Sequence, residues 1–117
     1  MILEIKYYSF GRMIIGTKEY TSDLILDMEG HIQDNWWRKQ GHYLSPEDIA
    51  AVLESAPKKI VIGTGANGRM AVSDQVIQVC QKKGIELEIL PTAEAVTHFN
   101  CAVQAGIPVA GCFHLTC

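Results

Sequence analysis

The sequence predicts a mixed α/β domain in which antiparallel N-terminal strands precede a parallel β-α-β-α-β unit. Three observations predict it. Residues 1–37 hold short apolar runs separated by turn residues. Ser45-Pro46-Glu47-Asp48 is a strong helix start. From Ile60 onward, short continuous apolar runs alternate with segments whose apolar residues recur at helical spacing.

Ile2, Leu3, Ile5 and Tyr7 begin a first extended run, and Met13 to Ile15 form a second. Leu24-Ile25-Leu26, then Glu29-Gly30, then His31-Ile32 read as a hairpin whose turn glycine supplies. At Ser45 a hydroxyl cap, a proline at the first helical position and two acids at the positive end of the dipole start a helix. Ile49, Val52, Leu53 and Ala56 give it one buried face, and Pro57 stops it. Ile60-Val61-Ile62 is the kind of run shown by a strand covered on both faces. A glycine loop follows, then a helix burying Val72, Val76, Val79 and Cys80 that Gly84 ends. Leu87, Ile89 and Leu90 make the next strand. Thr92 is placed to cap a last helix whose stripe is Ala95, Val96, Phe99, Ala102 and Val103, ended by Gly106. Val109 to Leu115 closes the chain as a strand, and right-handed crossovers make the three C-terminal strands parallel neighbours.

A chain of 117 residues is the size of one domain and can bury a core without disulfides or a structural metal. With 48% hydrophobic and 20% charged residues it has the composition of an ordinary folded protein. The net charge of −3 offers no electrostatic reason to bind nucleic acid or an anionic membrane, so neither is expected as a partner. Met1-Ile2-Leu3-Glu4-Ile5-Lys6 carries an acid where a signal peptide needs positive charge, and no segment is long enough to span a bilayer. The four cysteines, Cys80, Cys101, Cys112 and Cys117, match neither a redox motif nor a zinc ribbon. The expectation is a cytoplasmic protein with reduced thiols.

Gly63-Thr64-Gly65-Ala66-Asn67-Gly68 fits G-x-G-x-x-G after a strand, with Glu86 and Glu88 about twenty residues on, as a dinucleotide fingerprint requires. The mechanism is not met. The helix must begin within the glycines to face a pyrophosphate, and the better cap residues, Ser73 and Asp74, come after Gly68. The acid should also end the second strand, which instead ends in Leu90-Pro91. The glycines are then read as permitting positive φ or close backbone approach. A weaker functional reading makes the N–H groups of residues 64–68, with Arg69, a nest for a small anion. No cofactor is expected.

Trp36-Trp37-Arg38-Lys39-Gln40-Gly41-His42, Gly63-Thr64-Gly65 and the terminal His114-Leu115-Thr116-Cys117, with Thr92-Ala93-Glu94-Ala95 and Asn100, together resemble the archaeal and bacterial branch of the Mth-type family of unknown function. That family includes the adipogenesis-associated domain protein of animals and is related to a mitochondrial complex I assembly factor. The resemblance spans essentially the whole chain. It implies a β-rich, three-layer α/β fold with no established enzymatic activity.

Of the adjacent pair Trp36 and Trp37, an extended backbone turns one inward and one outward. The outward ring beside Arg38 is a candidate anchor for a protein partner, because Trp and Arg carry most binding energy at interfaces. The bland alternative packs both rings beneath the Gly41 loop. His42, His114 and Cys117 have the chemistry of metal ligands but no supporting spacing, so no metal is expected. His98 and Cys101 are a competing helical pair. Cys112 or Cys117 as a nucleophile would need a lowered pKa and an oriented base. Thr92 and Asn100 read as a helix cap and a side chain bonding backbone. The leading expectation is a non-enzymatic interaction or assembly-type module with an unidentified protein partner, or a second copy of itself. The alternative is a small-ligand, anion-binding or hydrolytic domain whose cleft gathers Arg38, His42, Gly63, Thr64, Gly65, Arg69, Asn100 and His114 at the carboxyl ends of the strands.

Overall fold

The protein's structure, a computed structural model, describes residues 4–117. Ile2 and Leu3, expected in the first strand, lie outside the described residues. Strands β1 (Ile5–Ser9), β2 (Arg12–Ile15) and β3 (Lys18–Tyr20) form an antiparallel meander. β3 has only one buried residue in three and no alternation long enough to read in sequence.

Strands β4 (Leu24–Leu26) and β5 (Ile32–Gln33) make the expected hairpin, with Leu26 opposite Ile32 and Ile25 opposite Gln33. They join a five-stranded sheet in the order β5-β4-β10-β7-β9, where β7 is Lys59–Thr64, β9 is Glu86–Leu90 and β10 is Val109–His114. The last three are parallel and β4 runs antiparallel to β10. The crossovers place β7 between β10 and β9, so the first strand of the parallel unit in sequence is its centre. β6 (Tyr43–Leu44) and β8 (Ala71–Val72) add a short parallel ladder outside the main sheet. Val72 therefore belongs to a strand, and not to the following helix as its spacing predicts.

The expected helix after Ser45 is split. Asp48 accepts from both the backbone N–H and the hydroxyl of Ser45 (2.9 Å each), and Pro46–Ile49 forms a 3₁₀ turn. Only Ala50–Ser55 (α1) is α-helical, and Ala56, expected in the buried face, caps it with φ +49°. α2 (Asp74–Lys83) is capped by Ser73, whose hydroxyl accepts from the Val76 N–H, and Gly84 ends it at φ +70°. α3 spans Thr92–Gln104.

Period-two alternation divides the core by faces of the sheet. Ile60 and Ile62 of β7 with Ala110 and Cys112 of β10 face α1, α2 and Trp36. Val61 with Val109 and Phe113 faces α3 and the β1–β3 meander. The result is three layers: α1 and α2, the mixed sheet, and α3 with the small antiparallel sheet. Among the described residues, no helix is long and apolar enough to cross a membrane.

Candidate functional site

The parallel register sets Phe113 beside Gly63 and His114 beside Thr64, so the end of β10 and the glycine loop meet at the carboxyl edge of the sheet. His114 is 5% exposed. Its Nδ1 lies 2.7 Å from Asp23 Oδ2, and since an ionised carboxylate only accepts, Nδ1 carries the proton. Asp23 Oδ2 also accepts from Arg38 Nη2 at 2.8 Å, and Asp23 Oδ1 from the Leu115 N–H at 2.8 Å. The 3.3 Å approach of Arg38 Nη2 to His114 Nδ1 is thus two donors converging on one oxygen. Burial pushes the Asp23 carboxyl up, but the bonds from His114, the Leu115 N–H and Arg38 outweigh it and hold the group below its ordinary value.

Arg38, expected beside an outward tryptophan, faces the other way. It is 7% exposed, donates to the Gly41 carbonyl through Nε and Nη2, and stacks over Trp36 at 4.6 Å. Two-residue alternation explains this: Trp36 and Arg38 share the inward face, and Trp37 between them is 77% exposed. Trp36 is further fixed by its indole N–H donating to the Asp48 carbonyl at 3.0 Å.

His42 precedes β6, and the Ala71 N–H donates to its carbonyl. Its exposed ring lies edge-on to His114, with centroids 5.5 Å apart. His114 Nε2 and Arg38 Nη1 are buried and have no hydrogen-bond partner among the described residues. Among the described residues, no three His, Cys, Asp or Glu side chains are placed to hold a metal ion together.

The glycine loop does not open as a nest. The N–H groups of Ala66 and Arg69 donate to the carbonyls of Thr116 (2.6 Å) and Cys117 (3.1 Å), Gly68 donates to Gly65, and Gly65 donates to the Thr92 hydroxyl. The C-terminal residues lie where an anion would sit. A Cβ on Gly65, whose φ is +108°, would stand 2.2 Å from the Cys117 carbonyl carbon, and one on Gly63 would meet the Thr92 hydroxyl at 2.8 Å. The glycines serve close backbone approach. The Arg69 side chain is exposed at the rim.

Thr92 is not the cap of α3; Pro91 holds that position. The Thr92 hydroxyl is fully buried and bridges two strand ends, donating to the His114 carbonyl (2.6 Å) and accepting from Gly65 (2.8 Å). Thr64 turns away from the site and donates to the Leu90 carbonyl. Asn100 lies elsewhere: its amide brackets the Ile5 backbone with two 2.8 Å bonds, tying α3 to β1. His98 pairs with Glu88 at 2.6 Å instead of acting with Cys101. Burial pushes the Cys112 thiol up to about 12, which removes it as a nucleophile near neutrality.

Of the expected site residues, the structure brings Arg38 and His42 to the His114 ring and sets Gly63, Thr64 and Gly65 against the backbone end of β10, whereas Asn100 stays apart. The organiser it adds is Asp23, which sequence reasoning missed.

A family model described as a protein of unknown function (DUF498/DUF598) matches residues 5–114. The solved structure named MT938 is 27% identical with a TM-score of 0.81, covering 98% of this chain and 99% of its own. An outer membrane protein from Bartonella henselae is 22% identical with a TM-score of 0.83 (98% and 96%), and the conserved hypothetical protein PH1505 from Pyrococcus horikoshii OT3 is 21% identical at 0.75 (98% and 100%). A Mth938-like domain from Bordetella pertussis is 15% identical at 0.65 (97% and 85%). The last three are alike in fold alone.

Proposed function

The chain belongs to the DUF498/DUF598 family of proteins of unknown function, and within it we propose that this member is a non-enzymatic protein-interaction module whose contact surface centres on Trp37. The observation that carries the reading is the contrast within one dipeptide. Trp37 is 77% exposed, while its neighbours Trp36 and Arg38 are buried and fixed by bonds to Asp48, Gly41 and Asp23. A large aromatic ring held outward on an immobilised backbone loses little entropy on binding, which is the character of an interface anchor. The Asp23–Arg38–His114 cluster is then the support that aims it. Four free cysteines are in keeping with action in the cytoplasm. A second copy of the chain is one partner this surface would suit.

A photo-crosslinking residue placed at position 37 in the host cell tests this, with the same residue at exposed Gln81 of α2 as control. A discrete adduct formed at 37 and not at 81 is expected. Equal, diffuse labelling from both positions would overturn the reading.

A second reading, of a small-ligand, anion-binding or hydrolytic domain, draws on the unpartnered His114 Nε2 and Arg38 Nη1. Asp23 fixes the ring so that Nε2 is the free acceptor or base, the arrangement found behind many ligand-binding imidazoles. Exposed His42 is the group that would move to admit the ligand. Imidazole ¹⁵N spectra during titration with phosphate, whose P–OH can donate to Nε2 while its oxygens accept from Arg38 Nη1, decide it: a shift at His114 Nε2 supports this reading, and an unmoved signal excludes it for phosphate.

A further inference from the structure

We infer that the partner segment is an extended, positively charged peptide that adds as a strand to the free edge of β5 and lies along the groove between β5, α1 and Trp37. This rests on the interaction reading above and names the chemistry of its partner.

The backbone supplies the first part. Among the described residues, β5 is the terminal strand of its sheet, bonded only to β4. The Asp27 N–H donates to the His31 carbonyl at 2.9 Å, one of the two bonds of a hydrogen-bonded position, while the His31 N–H turns to the Asp27 carboxylate. In an antiparallel ladder such positions alternate, so the next pair, Leu26 opposite Ile32, leaves the N–H and C=O of Ile32 directed away from β4. That is an open template for one more strand.

The groove supplies the second. A cleft of about 170 Å³ lies between the β4–β5 hairpin and α1, with Ile25, Ile32 and Val52 among its walls. A second depression shares the Ile25, Gln33 and Val52 walls and adds Glu47 and Asp48, and a third shares Gln33, Glu47 and Asp48 and adds Trp36 and Trp37. Ile25 and its partner Gln33 share the sheet face toward α1, so alternate side chains of a strand added to β5 would project on the side of these depressions.

Charge selects the occupant. Asp27, Glu29, Glu47 and Asp48 line these depressions, against Lys39 and His31. Asp27 and Asp48 bond neighbouring backbone, whereas Glu29 and Glu47 are exposed and make no ion pair among the described residues. A lysine or arginine in every second position of the added strand would meet these carboxylates. The face of Trp37 at the groove's end would accept another cation.

The test is a titration of ¹⁵N-labelled full-length protein with an octapeptide alternating lysine and threonine, and with its counterpart carrying glutamate for lysine. Shifts confined to the Ile32 and Gln33 amides and the Trp37 indole are expected with the lysine peptide alone. Affinity should fall about tenfold in the Glu29→Lys/Glu47→Lys double variant and on raising salt, as charge-steered contacts do. The inference is overturned if the lysine peptide shifts no resonance, if its shifts lie elsewhere, or if both peptides act alike. The crosslink at position 37 separates the two claims. If the crosslink forms and the peptide gives no response, only the cationic strand falls. If the crosslink is absent, the interaction reading falls and takes this inference with it.

Discussion

Replacing Asp23 by alanine tests whether one carboxylate organises the carboxyl edge of the sheet. Three donors converge on it: His114 Nδ1 at 2.7 Å, and Arg38 Nη2 and the Leu115 N–H at 2.8 Å each. The Arg38 side chain is 4% exposed, so the variant leaves a buried guanidinium whose remaining acceptor is the Gly41 carbonyl, together with an unpaired N–H on Leu115. Removing one partner of a fully buried pair costs about 3–5 kcal/mol. Asp23 itself is 17% exposed and water can partly replace it, which brings the expected loss to about 3 kcal/mol. For a domain of this size that is a fall of roughly 12 °C in Tm. Urea unfolding with an unchanged slope measures it, and a cycle with Arg38→Leu should show about 2 kcal/mol of coupling. The pH dependence follows from the same contacts. Asp23 is held below its ordinary value of 3.8, so its contribution is fully present above that value and is lost as pH falls through the lower, folded-state pKa. The isosteric Asp23→Asn variant should therefore be less stable than wild type at pH 6, and the gap should narrow below pH 4. A cost under about 1 kcal/mol, or a gap independent of pH, would refute the reasoning.

The tryptophan pair should separate cleanly: Trp36→Ala costs about 3–5 kcal/mol by chemical denaturation, while Trp37→Ala stays within about 0.5 kcal/mol and leaves the circular dichroism unchanged. Asn100→Ala removes both bonds to the Ile5 backbone, costing about 2 kcal/mol, and hydrogen exchange should show β1 losing protection before β10. Gly65→Ala should displace the C-terminal residues, read as new exchange at Ala66 and Arg69, because its Cβ has no room beside Cys117. Iodoacetamide at pH 8 should label exposed Cys101 well before Cys112, whose thiol is fully buried and raised to about 12; equal labelling would mean the core opens readily.

What could be read in the sequence is what depends on local pattern. The β4–β5 hairpin, the start of α2 at Ser73 and the expectation that one of the two tryptophans faces inward and the other outward follow from turn chemistry, capping and alternation within a few residues; which ring is which does not. The misreadings also have local causes. Ser45-Pro46-Glu47-Asp48 signals a helix start equally well whether the next turn is α or 3₁₀, and the Asp48–Ser45 capping bonds are compatible with either. Val72 fits the helical stripe of α2 by spacing, yet Leu44, far away in sequence, recruits it into a strand.

Asp23 shows why a site is harder to read than a fold. Between Ser22 and Leu24 it looks like a turn residue entering a strand, and no motif flags it. Its role exists only because β4 runs antiparallel to β10, with Leu24 opposite Phe113, so that Asp23 arrives beside His114 and Leu115. A sequence signal was nevertheless present in the other partners. Arg38 two residues after Trp36 had to share its inward face, and a guanidinium turned inward demands a carboxylate. Asp23 enters the same hairpin, across from Trp36, whose N–H donates to the Asp23 carbonyl at 2.9 Å. The exposure of Trp37 is the other side of that constraint: with Trp36 and Arg38 both committed inward, alternation leaves the ring between them no position except the surface.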